Sequence, residues 1–238
     1  MIYIYPAQII LARMRKRAVF IINFKAYEES VGRNAVRLAK LCEKAGKAGK
    51  VEMIVAVQEQ DLYRVKCQVG IEVFAQHVDP INYGAHTGGN LPEGMKESGA
   101  SGTLINHSEC RIGIEMIERI IKRAKEVGLR TVVCADTPGL AAKIAKLNPD
   151  FIAIEPPELI GSEISVSTAK PEIISGTIKK VQKVRKVPVL CGAGIKDAND
   201  VRVALRLGAA GILASSHVVK AKEPEKILKE LIAGTKSR

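Results

Sequence analysis

Short apolar runs alternate with longer amphipathic stretches from about residue 18 to the C-terminus. The runs are Val19–Phe24, Met53–Val57, Glu72–Gln76, Thr103–Asn106, Thr131–Ala135, Phe151–Ile154, Val189–Cys191 and Gly211–Ala214. Each is brief and rich in Val, Ile, Leu or Ala, as parallel strands buried on both faces should be. Between them, apolar positions recur at helical spacing. Asn34–Ala45 carries Val36, Leu38, Ala39, Leu41 and Cys42, and Ile112–Val127 carries Ile114, Ile117, Ile120, Ile121 and Ala124 before stopping at Gly128. Thr137-Pro138 opens the next helix with a capping hydroxyl followed by proline in the first turn. Later helices are expected over Pro171–Lys186, Ala198–Leu207 and Pro224–Ile232.

Strict alternation implies parallel strands joined by right-handed crossovers. About eight such units in one chain predict an α/β fold closed into a single (β/α)8 barrel over residues 18–238. The alternative, an open doubly wound sheet, calls for a glycine-rich phosphate loop after the first strand. Asn23-Phe-Lys-Ala-Tyr27 holds no glycine there. Residues 1–17 read as a short N-terminal extension. Its positive charge follows the apolar stretch instead of preceding it, which argues against a signal peptide. Met14, just before Arg15-Lys-Arg17, is an alternative start.

Composition narrows the picture. The 238 residues suit one barrel, and 47% hydrophobic content with no Trp means an aliphatic core. Net charge is +12, from 37 basic and 25 acidic residues. The basic residues are scattered over helices such as Lys179, Lys180, Lys183, Arg185 and Lys186, with no interleaved aromatics to stack bases. This argues against nucleic acid and for a solvated surface that also attracts small anions. The five cysteines are odd in number and form no Cys-x-x-Cys pair, which points to a reducing cytoplasm rather than a disulfide framework or a zinc site. No apolar run reaches the length of a membrane span, and no ligand cluster suggests a metal or cofactor.

A barrel places its chemistry at the C-terminal ends of its strands. Reactive residues stand at several of them: Asn23 and Lys25 after the first, Gln76 and His77 after the third, Asn106, His107, Ser108 and Glu109 after the fourth. Glu155 follows the sixth, Cys191-Gly-Ala-Gly194 the seventh, and Ser215-Ser216 the eighth. Each alone fits an ordinary turn. Together they place a cation, an imidazole, a carboxylate and a glycine-rich turn on one rim.

These motifs carry a resemblance. Asn23-Phe-Lys25, Asn106-His-Ser-Glu109, Glu155-Pro-Pro-Glu-Leu-Ile-Gly161 and Cys191-Gly-Ala-Gly-Ile195, in this order, resemble the triosephosphate isomerase family, most strongly its shorter archaeal branch. The resemblance implies interconversion of dihydroxyacetone phosphate and glyceraldehyde 3-phosphate through an enediolate, without metal or cofactor, in glycolysis and gluconeogenesis. It implies Glu155 as the base, His107 as a neutral electrophile and Lys25 as fixed positive charge, with Asn23 on the same oxygens and Glu109 pairing with Lys25. The expected reason for a neutral His107 is a helix opening just after it. Ile160, Gly161, Gly194, Ser215 and Ser216 would bind the substrate, mainly through backbone N–H groups on its phosphate. Pro156–Ser162 would be a lid hinged on its prolines. The loop with Gly84-Ala-His-Thr-Gly88 implies a homo-oligomer, a dimer or a tetramer. Three positions depart from the family pattern: Glu163 in place of a lid glycine, Cys110 in place of a common arginine, and His217 in place of a small residue. The alternatives are another phosphate-binding barrel, such as a sugar-phosphate epimerase or isomerase, and a non-catalytic basic protein that binds nucleic acid.

Overall fold

The structure, a computed structural model, describes residues 17–157 and 171–236. Eight strands close into a barrel in sequence order: β1 (Val19–Asn23), β2 (Glu52–Val57), β3 (Glu72–Ala75), β4 (Gly102–Ile105), β5 (Arg130–Ala135), β6 (Phe151–Ile154), β7 (Val189–Cys191) and β8 (Gly211–Ala214). Every neighbouring pair is parallel, and β8 pairs with β1 to complete the ring. The expected (β/α)8 barrel is therefore the observed fold.

Helices lie between the strands: α1 (Arg33–Gly49), α2 (Leu62–Lys66), α3 (Pro92–Glu97), α4 (Ile114–Val127), α5 (Pro138–Lys146), α6 (Pro171–Val184), α7 (Ala198–Arg206), α8 (Ser216–Val219) and α9 (Pro224–Ala233). Thr137 caps α5 as its sequence suggests, accepting the Leu140 N–H at 3.2 Å. The short helices α2, α3 and α8 left no legible signal, because four to six residues are too few to show a period of 3.6. The apolar pattern also overshoots three strands. Phe24, Gln76 and Asn106 lie just past β1, β3 and β4, where strand pairing has stopped.

Strand parity divides the core in two. Val19, Ile21, Ile54, Ala56, Phe74, Leu104, Val132, Phe151, Ala153, Leu190 and Leu213 face inward and fill the barrel. The alternate residues, among them Phe20, Ile22, Val55, Val73, Ile105, Val133, Ile152 and Ile154, face the helices. The same parity carried to the strand ends sends Asn23, Gln76, Asn106, Cys134, Glu155, Gly192 and Ser215 toward the barrel axis at its C-terminal rim. At the opposite mouth it gathers Glu52, Glu72 and Arg130. Arg130 Nη1 lies 2.9 Å from Glu52 Oε1 and 2.7 Å from Glu72 Oε1, and its guanidinium covers the rings of Phe74 and Phe151.

The N-terminal extension, except Arg17 at its edge, lies outside the described residues, as do Ile160, Gly161, Ser162 and Glu163. Among the described residues, no helix is long and apolar enough to cross a membrane.

Candidate active site

The rim brings Lys25, His107 and Glu155 together from β1, β4 and β6. His107 Nε2 lies 3.5 Å from Glu155 Oε1, and Lys25 Nζ lies 2.7 Å from Glu109 Oε1. Asn23 is buried beside them, and its Oδ1 accepts the Lys25 backbone N–H at 3.0 Å. The structure thus assembles a cation, an imidazole and a carboxylate that lie up to 130 positions apart along the chain.

Glu155 is strongly perturbed by its surroundings. It is 5% exposed, and burial pushes its carboxyl up to about 7 from 4.5. The Cys134 thiol, the positive charge of Lys25 and the Ser108 backbone N–H pull the other way, while Glu109 adds a small upward push. Oε2 has no hydrogen-bond partner among the described residues. Burial therefore outweighs the favourable contacts, and a carboxylate here is a stronger base than one in water. Its seat is shaped by Gly192. A Cβ at that position would stand 2.6 Å from Glu155 Cγ and 2.9 Å from the Ile154 carbonyl oxygen. Glycine at 192 therefore makes room for the base, a use beyond the turn expected of it.

His107 is held neutral, but not by the expected cause. Its next helix, α4, begins only at Ile114, behind Gly113, and residues 108–110 form a turn. Instead the Glu109 backbone N–H donates to His107 Nδ1 at 3.2 Å. An acceptor at Nδ1 leaves the single ring proton on Nε2, which faces Glu155. Burial is the main cause that lowers the ring's pKa, and the positive charge of Lys25 adds to it, with Glu109 opposing. The histidine is placed by Asn106, which adopts φ 58° and ties three segments together. Its Nδ2 donates to the Cys134 carbonyl and its Oδ1 accepts from Ile112 N–H, each at 2.9 Å. Asparagine tolerates this left-handed backbone better than most residues.

Lys25 is the second strained residue on the rim, with φ 50°. At the far side of the barrel mouth, Gly194 has φ 69°, a conformation that favours glycine. Ser215 and Ser216 follow β8, and Ser216 begins α8. The Ser215 hydroxyl is buried without a partner among the described residues. A polar cleft continues behind Glu155, lined by Asn106, Ser108, Arg111, Cys134, Ala135 and Asp136. Arg111 and Asp136 form an ion pair at its edge. Sequence reasoning left Cys134 and Arg111 unassigned. Strand parity could have found Cys134, since it ends the inward series Val132, Cys134 on the strand next to Glu155.

Cys110 and His217, two of the departures from the family pattern, are both exposed, and neither occupies the space between Lys25, His107 and Glu155. Among the described residues, no group of three or more His, Cys, Asp or Glu is arranged to hold a metal ion.

A family profile described as triosephosphate isomerase matches residues 18–231. The chain is 48% identical over 217 residues to a triosephosphate isomerase of Methanothermus fervidus, covering 91% of this chain and 98% of the relative. It is 47% identical over 215 residues to that of Methanocaldococcus jannaschii, covering 90% and 98%. It is 46% identical over 217 residues to that of Saccharolobus solfataricus, covering 91% and 96%.

Proposed function

Because the chain belongs to the triosephosphate isomerase family, we propose that Glu155, His107 and Lys25 carry the interconversion of dihydroxyacetone phosphate and glyceraldehyde 3-phosphate. The chain is an isomerase of triose phosphates, and the epimerase and nucleic-acid alternatives are not favoured by relatives that share one name. The observation that carries the residue roles is the facing pair: a buried carboxylate at 3.5 Å from the protonated nitrogen of a neutral imidazole.

The reaction moves a proton between adjacent carbons, so one group must take a carbon-bound proton and others must hold the charge that appears on oxygen. Glu155 takes the proton. Its pKa near 7 matches the base strength to neutral pH, where enough of it is ionised to act. His107 donates a hydrogen bond from Nε2 to the carbonyl oxygen. Lys25 supplies a fixed positive charge to the developing oxyanion and to the phosphate, and Asn23 supports it. Glu109 keeps Lys25 oriented and uses its own N–H to fix the His107 tautomer.

Backbone N–H groups at Gly194, Ser215 and Ser216 support a phosphate site across the mouth, completed by Ile160 and Gly161 in the lid. Closure of the lid over Pro156 would exclude water, which strengthens every charge interaction inside and protects the enediolate. Five cysteines without a disulfide pattern favour a reducing cytoplasm. The exposed loop over residues 82–89 supports a homo-oligomer, a dimer or a tetramer.

The decisive measurement is triose phosphate interconversion by purified, folded protein. Glu155→Asp withdraws the carboxylate by one methylene, about 1 Å, and should lower kcat about 100-fold. The base must be ionised to work, so kcat/KM should fall as pH drops below about 7. A folded wild type without turnover sinks the functional reading, and an unchanged kcat in Glu155→Asp sinks the assignment of the base.

A further inference from the structure

Four non-glycine residues among those described take a positive φ: Lys25, Lys50, Asn106 and Asn148. Lys50 caps the C-terminus of α1, and Asn148 stands just past α5, where a left-handed residue commonly ends a helix. Lys25 and Asn106 have no helix to end. They sit on the rim beside the reacting groups. Lysine has no side-chain means of easing this backbone conformation, so something around it must hold it.

The hold comes from two amide side chains that grip the Lys25 residue at both ends. Asn23 Oδ1 accepts its N–H at 3.0 Å, and Gln76 Nε2 donates to its carbonyl oxygen at 3.0 Å. Gln76 stands 51 residues away and projects inward just after β3. Its amide nitrogen also approaches the Ala56 carbonyl at 3.4 Å, at the end of β2. That carbonyl in turn accepts from Phe24 N–H at 2.9 Å, so one amide joins the ends of β2 and β3 to the segment that carries Lys25. Both acceptors are carbonyl oxygens, so the amide NH2 must point there. An ionised carboxylate or a thioether of equal length cannot replace it.

We propose that Gln76 is a positioning residue for the isomerase reaction, fixing the strained backbone of Lys25 so that its ammonium faces the site. It touches no reacting atom. The proposal rests on the reading of Lys25 as the charge that meets substrate. Without the Gln76 donor, the Lys25 carbonyl is left unpaired, the segment relaxes away from positive φ, and Nζ swings off target while Glu155 and His107 stay in place. The loss then falls on binding of the charged substrate more than on proton transfer.

Kinetics of single and double variants test this. Gln76→Met keeps length and volume but removes the donor, and should raise KM about tenfold while kcat falls less than about threefold. Competitive inhibition by inorganic phosphate should weaken in parallel. Gln76→Glu should be as impaired at pH 8. It should recover as pH falls, because the neutral acid has an O–H to donate where the carboxylate only repels two carbonyls. That recovery is read as the ratio of variant to wild-type KM at each pH, so the titration of Glu155 cancels, and it is available even if Gln76→Met does not fold. In a Lys25→Met background, adding Gln76→Met should cost less than about twofold, since the two act as one unit. A wild-type KM in Gln76→Met, or no recovery of Gln76→Glu at low pH, or an undiminished penalty in the double variant, overturns the positioning role alone. Wild-type kinetics in Lys25→Met overturns the role of Lys25 and this proposal with it.

Discussion

Glu155 is a carboxylate held where ionisation costs energy, and the cost can be measured. Its folded pKa of about 7 exceeds the ordinary value of 4.5, so the folded state binds its proton more tightly than the unfolded chain does. For a raised acid, the stabilising contribution is present below pH 4.5 and is lost as pH rises through about 7. Above that range the buried charge opposes folding by on the order of 3 kcal/mol. Glu155→Gln removes the ionisation while preserving shape. It should abolish activity yet raise unfolding stability by about 3 kcal/mol at pH 8, and by no more than about 1 kcal/mol at pH 5. Denaturant melts at the two pH values check this. Equal effects at both would mean that the carboxylate is not strained in the folded enzyme. The space for that strained group comes from Gly192, whose missing Cβ leaves room for Glu155 Cγ.

Strands divide the labour between their two ends. The C-terminal ends present Lys25, His107 and Glu155, the side chains proposed to react, and the N-terminal ends present Glu52, Glu72 and Arg130, closed over Phe74 and Phe151. Arg130 is about one-third exposed, so its ion pairs are partly screened, and stacking on two rings supplies part of its value. Arg130→Met should cost about 1–2 kcal/mol of stability and leave kcat/KM unchanged, because the network closes the mouth opposite the chemistry. A thermal melt beside an activity assay checks both halves, and a kcat/KM loss at full folding would contradict the separation. The strands were legible because burial on both faces makes them continuous apolar runs. So was the residue set on the rim, because a barrel places its chemistry just after the C-terminal ends of its strands. Three things were not legible. The helices α2, α3 and α8 are too short to show a period. The tautomer of His107 depends on one backbone N–H, that of Glu109, rather than on any residue type. The grip of Gln76 on Lys25 joins residues 51 apart through a carbonyl that every residue has.

With +12 per chain, two copies repel one another, so any association must come from a surface able to overcome that. We propose the loop between β3 and α3 as such a surface. Its base is ordered: Asn90 N–H donates to Asp79 Oδ2 at 2.7 Å, Asp79 N–H to the Asn90 carbonyl at 2.9 Å, and Arg123 Nε to the Ile81 carbonyl at 3.1 Å. Its tip, residues 82–89, is exposed throughout, and Tyr83 is 75% exposed. A loop with an ordered base and a bare aromatic loses little freedom when a second copy covers it. Light scattering should therefore report at least a dimer, and Tyr83→Asp should shift the mass toward one chain. Salt supplies the sharper test. Screening weakens repulsion between like-charged copies, so self-association should tighten between about 0.05 and 0.5 M ionic strength. Binding to a polyanion would weaken over the same range. A monomer at every salt concentration, at protein levels used for assay, would leave the loop's exposed tip without the partner assigned to it.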